Sequence, residues 1–306
     1  MEINNPHDKF FKDSLSRKEV AIDFMDNYLP QDLLNLIDLD NIIIEKDSFI
    51  EKELEDFYSD ILYKVDLAEK EGYLYFLFEH KSYEYSKISL QLLKYMIKIW
   101  ELKLKQKEND KLPLIVPMVV YHNKKEWDVG LKLSDMMVDI PKEIENYFPD
   151  YKYILQDLSD YSHEEIQGIS ILKVFLDILT SVNREDFKER FIEALEVLEK
   201  LRKQNKGIEY FETMIRYILA AKENMDVEDL KKLSNKISSK RGEEIMTIAE
   251  KLKQEGIEEG IEKGKRKRDI EIAKKMLSKG IDIPDIIEIT DLDKNKIEEI
   301  KMNIEH

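Results

Sequence analysis

Three charged residues, Asp60, Glu79 and Lys81, stand at the ends of two apolar segments, YSDILYKVDL (58–67) and YLYFLFEH (73–80). Both segments have strand length and are rich in Ile, Val, Tyr and Phe. If the polar break from Glu69 to Gly72 closes an antiparallel hairpin, paired residue numbers add to about 139 to 141, and Asp60 faces residues 79 to 81. Glu79 and Lys81 are two apart and share a face of their strand, while His80 points away. Two carboxylates and an ammonium then meet at one sheet end. Carboxylate oxygens suit a hard divalent cation, which polarises a phosphate and acidifies a bound water, and an ammonium beside them can orient that water and stabilise developing charge. Charged residues at strand ends are more often simply solvated. Against that stands YLYFLF, apolar on both faces as a buried central strand is, which makes Glu-His-Lys at its end more than surface decoration.

The elements that must position this trio follow from the periodicity. Phe10, Phe11, Leu15, Val20, Phe24, Met25 and Tyr28 recur at helical spacing from His7 to Tyr28, and Pro30 stops the helix. Residues 42–50 (IIIEKDSFI) read as a strand before the two that carry the trio. Residues 85–107 lack Gly and Pro and carry an apolar helical face, and LIVPMVVY (114–121) is a further strand. The order is helix, three strands, helix, strand. From about residue 160 onward the signals are helical, with Ser162 to Glu165 as a capping box and Asn183 and Asp226 as N-caps.

On the helix that follows the trio, Lys94, Lys98 and Lys105 lie within about 20° of Lys87 and Gln91 within about 40°, at 100° per residue. Between Lys81 and Lys111 eight Lys stand against Glu84, Glu101, Glu108 and Asp110, in a chain whose net charge is -16. An acidic chain that binds nucleic acid must concentrate its positive charge, and this stripe is where it could do so; a solvated helix face explains it as well. Glu19 and Asp8 are further carboxylates near helix starts, where a surface or capping role is ordinary. His7 and His122 belong to five scattered histidines that make neither a zinc site nor a triad.

HDKFFKDSL, NYLP (27–30), YSDILYKV, YLYFLFEHKS, LLKYMIKIWE and LPLIVPMVVYHNKKEW together resemble the recombination-promoting nuclease, or transposase-like, family. An acidic residue on one strand and (D/E)-x-K on the next, within this element order, resembles the PD-(D/E)XK (restriction-endonuclease-like) core over roughly residues 7–121. The resemblance implies an α/β fold, metal binding by Asp60 and Glu79, Lys81 as the water-positioning group, Gln91 as a polar helix residue near the metal, and DNA as substrate. The implied cofactor is Mg²⁺, with Mn²⁺ or Ca²⁺ as alternatives. Ser59 stands where the superfamily name has proline, and many relatives carry Gln in place of Lys81, so that lysine is not indispensable across the family.

The chain contains no Cys, which excludes disulfides, cysteine zinc sites and thiol nucleophiles and suits a reducing cytosol. No secretion signal or membrane span is visible at the N-terminus or elsewhere, so the expectation is a cytoplasmic protein. Three parts are expected: a nuclease core at 1–160, a helical extension at 161–240, and at 241–306 a charged linker with a small helical module. In the tail, Gly256, Gly260 and Gly264 fall four apart in GIEE-GIEK-GKRK, as a partly helical linker or as a helix face open to another helix. KGKRKR (263–268) could meet phosphate, and 269–303 resembles a helix-turn-helix in outline, though KNKIEEIKMN offers no Arg for guanine edges and suits a protein partner better. A homodimer would supply the two sites that paired nicks need. Two functions are carried forward: DNA phosphodiester hydrolysis promoting recombination, and a non-catalytic DNA-binding or protein-interaction role of the tail.

Overall fold

A computed structural model describes residues 5–45, 61–68, 70–79, 86–106, 111–122, 125–139, 141–159, 161–203, 208–222 and 225–305. The chain divides into two compact units, residues 2–245 and 246–306.

In the first unit, helices α1 (Pro6–Leu15), α2 (Lys18–Tyr28) and the single turn α3 (Gln31–Leu34) precede strand β1 (Ile37–Ile44). The single helix expected from His7 to Tyr28 is thus two, broken at Ser16 and Arg17. The apolar period runs on across the break, because Leu15 and Val20 are both fully buried and the break leaves no mark in the pattern. Strands β2 (Ile61–Leu67) and β3 (Lys70–Glu79), helix α4 (Ile88–Lys105), and strands β4 (Leu114–Tyr121) and β5 (Ile154–Asp157) follow. They form a mixed sheet in the order β1-β2-β3-β4-β5, with β1, β2 and β3 antiparallel and β3, β4 and β5 parallel. The four-residue β5, just before residue 160, was not expected.

The hairpin register differs from expectation. Leu67 pairs with Lys70 and Ile61 with Phe76, so paired numbers add to 137. The turn begins at Ala68, which lies in the left-handed region at φ 51°. A shift of two keeps the parity, so even-numbered β2 residues still share a face with odd-numbered β3 residues.

Strand β3 is the spine of the core. Tyr73 and Tyr75 face α4, where they pack with Leu62, Ile88, Leu92, Tyr95, Ile99, Val119 and Tyr121. Leu74 and Phe76 face the helical layer: Phe76 meets Phe24 of α2 at 5.9 Å and Tyr63 at 5.1 Å, and the Tyr63 hydroxyl donates to the Leu15 carbonyl at 2.8 Å. The alternation of Tyr, Leu, Tyr and Phe with no polar residue among them is what a strand buried on both faces demands.

Helices α5 (Ser170–Ser181), α6 (Phe187–Lys203), α7 (Ile208–Ala221) and α8 (Val227–Asn235) complete this unit's helical layer. Phe175 of α5 meets Phe10 of α1 at 5.2 Å, and Tyr210 of α7 shares a 2.9 Å hydrogen bond with Ser14. Asp226 caps α8 by accepting from the Asp229 amide at 2.8 Å. Asn183 does not cap α6, which begins at Phe187. The Ser162 amide and hydroxyl both donate to Glu165 Oε2 at 2.8 Å, but the pair closes a turn and starts no helix.

Where a partly helical linker was the favoured reading, one helix, α9 (Ser239–Ser278), runs through all three glycines. A Cβ on Gly260 or Gly264 would meet nothing within 4 Å. In the second unit the end of α9 packs with α10 (Ile283–Thr290) and α11 (Lys294–Glu305) around Ala273, Met276, Ile286, Leu292, Ile297 and Ile300. Among the described residues no helix is long and apolar enough to cross a membrane.

Candidate active site at the carboxyl edge of the sheet

Strands β3, β4 and β5 run parallel and end level. Glu79 pairs with Tyr121, and Tyr121 with Asp157. In α/β sheets ligands bind outside the carboxyl ends of such strands. Asp60 and Lys81 lie outside the described residues; Glu79 is the last residue of β3.

Polar side chains bracket this edge from both layers. On one side, Gln91 stands in the first turn of α4, next to Leu92 and one turn before Tyr95, both packed into the cluster that holds Tyr75 and Tyr121. Its side chain is buried at 8% exposure, and its amide makes no hydrogen bond among the described residues. The amide itself reaches solvent, so a group from outside the fold can meet it without displacing a bond of the fold.

On the side of α1 are His7, Asp8 and His122, all buried. Asp8 accepts from the Asn5 side-chain amide within the first turn of α1. His122 directly follows Tyr121, and its ring centroid lies 6.4 Å from that of His7. The Tyr217 hydroxyl of α7 is 2.8 Å from His7 Nδ1, and the Tyr217 ring stacks on Phe10 at 4.1 Å. Burial pushes the Tyr217 phenol well above its ordinary value, so it stays protonated. The sequence does not reveal this grouping, because His7 and Tyr217 are 210 positions apart.

Asp157, the other carboxylate in the row, has its own work. Oδ2 accepts from the Trp127 amide at 2.8 Å and Oδ1 from the Ser159 amide at 2.9 Å, which ties the segment after β4 to the end of β5. Glu19 is exposed in the first turn of α2, where a negative charge suits the helix dipole.

Lys87, Lys94, Lys98 and Lys105 are all exposed, as the stripe requires, and Lys87 and Lys94 make no ion pair among the described residues. Lys103, off the stripe, is buried over the Tyr73 ring at 5.2 Å and faces Glu45 at 3.8 Å.

A second ionisable cluster lies in the helical layer. His163 Nδ1 is 3.0 Å from Asp177 Oδ2, and Nε2 is 3.7 Å from Glu193 Oε2. One nitrogen and two carboxylate oxygens lie within 4.8 Å of one another, close enough to share a cation. The imidazole, however, points its two nitrogens at different carboxylates. Glu193 also takes Arg190 at 3.1 Å, and Arg190 takes Asp186 at 3.2 Å. Burial raises the Asp177 carboxyl above its ordinary value, and the His163 hydrogen bond opposes that shift. These groups satisfy one another and tie the segment before α5 to α5 and α6.

Comparison with known proteins bears on the same fold. A chain named inactive recombination-promoting nuclease-like protein RpnE, from Escherichia coli (strain K12), is 26% identical over 308 residues, covering 94% of this chain and 95% of that one. Recombination-promoting nuclease RpnA of the same strain is 27% identical over 297 residues, covering 97% of each. Recombination-promoting nuclease RpnD of Escherichia coli O157:H7 is 36% identical over 122 residues, 40% of this chain and 47% of that one. No solved structure matches the chain. The family model described as "Putative transposase, YhgA-like" matches residues 5–209, which spans the sheet, its carboxyl edge and helices α5 and α6, and the chain belongs to that family.

Proposed function

We propose that this chain is a metal-dependent DNA endonuclease with a PD-(D/E)XK core, cutting at the carboxyl edge of β3. The observation that carries the reading is Gln91: a largely buried residue whose amide reaches solvent and makes no hydrogen bond among the described residues, on the helix that packs against the strand ending in Glu79. The full-length relatives named as nucleases support the same chemistry. Asp60 and Glu79 are the residues that would hold the cation. Two carboxylates beside an amide carbonyl form an oxygen donor set, which fits Mg²⁺, with Mn²⁺ or Ca²⁺ as substitutes. When bound, the cation supplies Lewis-acid polarisation of the phosphate and a water of lowered pKa.

Lys81 would hold that water by hydrogen bonding and offset charge on the phosphate. Lys87, Lys94, Lys98 and Lys105 would take the DNA backbone along the margin of α4. Paired nicks would require two copies of the chain, so a homodimer is the natural working form. The second unit has an apolar core of its own and supports a second role, in DNA or protein contact outside the cleavage site. One full-length relative is named inactive, so cleavage itself has to be measured. Purified protein with supercoiled plasmid should give nicked and linear products only with Mg²⁺, and Asp60→Ala should abolish them. Equal cutting by Asp60→Ala would place the site elsewhere. Absence of cutting by any form, with DNA binding lost on deletion of 246–306, would favour the binding role.

A further inference from the structure

Between β4 and β5 the chain folds back on itself as a short two-stranded ribbon that the proposed mechanism does not use. Lys132 and Lys152 form an isolated antiparallel bridge there. The Leu133 amide donates to the Tyr151 carbonyl and the Tyr153 amide to the Leu131 carbonyl, each at 3.1 Å. Bonds in those positions make the two lysines a non-hydrogen-bonded pair, the kind whose side chains stand closest on one face. Alternation along the ribbon decides which face that is. Leu133 and Tyr153 are buried, and Leu131, Tyr151 and Tyr153 pack with the cluster on α4, so both lysines lie on the outer face and both are exposed. The ribbon is fixed to the start of α4. The Tyr151 hydroxyl donates to the Ser89 carbonyl, and the Ser89 hydroxyl donates to the Lys132 carbonyl at 3.4 Å. Ser89 is the second residue of α4, between Gln91 and the exposed Lys87 that heads the basic stripe.

Like charges placed directly opposite one another across a ribbon are destabilising. Neither lysine makes an ion pair among the described residues. Asp135 and Asp150, the nearest carboxylates along the chain, have other work: Asp135 accepts from the Lys132 amide at 2.8 Å, and Asp150 accepts from the Ser134 amide and hydroxyl at 2.9 and 3.0 Å and from the Tyr151 amide at 3.0 Å. Lys132 acts on Asp150 only from beyond ion-pair distance. We propose that Lys132 and Lys152 together form a phosphate clamp for duplex DNA, which carries the backbone track of α4 across its first turn and onto the ribbon. A phosphate between the two ammonium groups relieves their repulsion, and this charge complementarity selects a polyanion as the partner. The inference rests on the reading of DNA as substrate and not on the cleavage centre.

The test compares the full chain with two double variants, Lys132→Gln with Lys152→Gln and Lys132→Arg with Lys152→Arg. Binding of a duplex oligonucleotide in EDTA is measured across a range of salt concentrations, beside thermal unfolding. The Gln pair should weaken binding several-fold and reduce the slope of log K against log salt by about 2, near 0.9 per lost phosphate contact. Its thermal midpoint should stay level or rise, because a repulsion has been removed. The Arg pair keeps both charges and should keep both the affinity and the slope. Unchanged affinity and slope in the Gln pair overturns the inference and leaves these lysines as solvated surface. So does an equal loss in the Gln and Arg pairs that tracks a fall in thermal stability, which would make the ribbon's packing the cause. Failure of the nuclease reading looks different: an unsubstituted chain that binds duplex and cuts nothing would remove that reading, while the Gln pair's loss of binding would still support the clamp. An unsubstituted chain that binds no duplex overturns the clamp.

Discussion

Two polar groupings in this chain look alike by composition and differ in what they leave unsatisfied. His163, Asp177, Glu193, Asp186 and Arg190 form a closed circuit in which each carboxylate has an imidazole or guanidinium nitrogen within 4 Å. The carboxyl edge of the sheet instead holds Gln91, whose amide makes no hydrogen bond among the described residues. Density of ionisable residues therefore does not mark the site. The circuit serves the fold, tying a connecting segment to two helices, whereas at the edge the Gln91 amide is left out of the hydrogen bonding of the described residues.

The comparison can be broken most directly at Gln91. Gln91→Leu should lower Mg²⁺-dependent cleavage by roughly 10- to 100-fold, the scale of a lost partner in a metal site. Because it breaks no hydrogen bond among the described residues and keeps an apolar stem in the core, it should leave the thermal midpoint unchanged or raise it. Loss of stability together with activity would show that Gln91 is a packing residue. A smaller effect is expected at the margin of α4. Neutralising Lys87 and Lys94 to Gln should weaken DNA binding several-fold and reduce the slope of log K against log salt by about 2, near one unit per lost phosphate contact; an unchanged slope would leave these lysines as solvated surface.

The smallest effect belongs to the closed circuit. The Asp177 carboxyl is raised above 3.8 by burial. Between 3.8 and its raised folded value the folded chain binds more protons at this group than the unfolded chain does. Stability contributed there is present at low pH and lost as pH rises through the folded value. Asp177→Asn should flatten that part of the stability profile, read as urea midpoints across acid pH, and leave cleavage intact.

How much of this was legible in the sequence depended on the range of the interactions. Strand β4 and helix α4 stand within three residues of their expected bounds, because an unbroken apolar period fixes them locally. The hairpin turn was misplaced because Ala68 takes a left-handed conformation usually left to Gly, so the turn fell ahead of the Glu-Lys-Glu-Gly break that seemed to mark it. Helix α9 keeps its glycines with help from pairs such as Glu259 with Lys263, 3.5 Å apart, which propensity alone does not count. Gln91 was visible as a residue on the rim of a basic stripe, but its missing partner was not. His7 and His163 were set aside as scattered histidines, since their partners lie on helices that only the fold brings near.

The central claim is that chemistry belongs to the carboxyl edge and not to the closed circuit. Mg²⁺-dependent nicking of supercoiled plasmid by Glu79→Gln beside the double substitution His163→Ala and Glu193→Gln tests it in one gel. The account predicts nicking abolished in the first and retained in the second; retention in Glu79→Gln with loss in the double variant would contradict it.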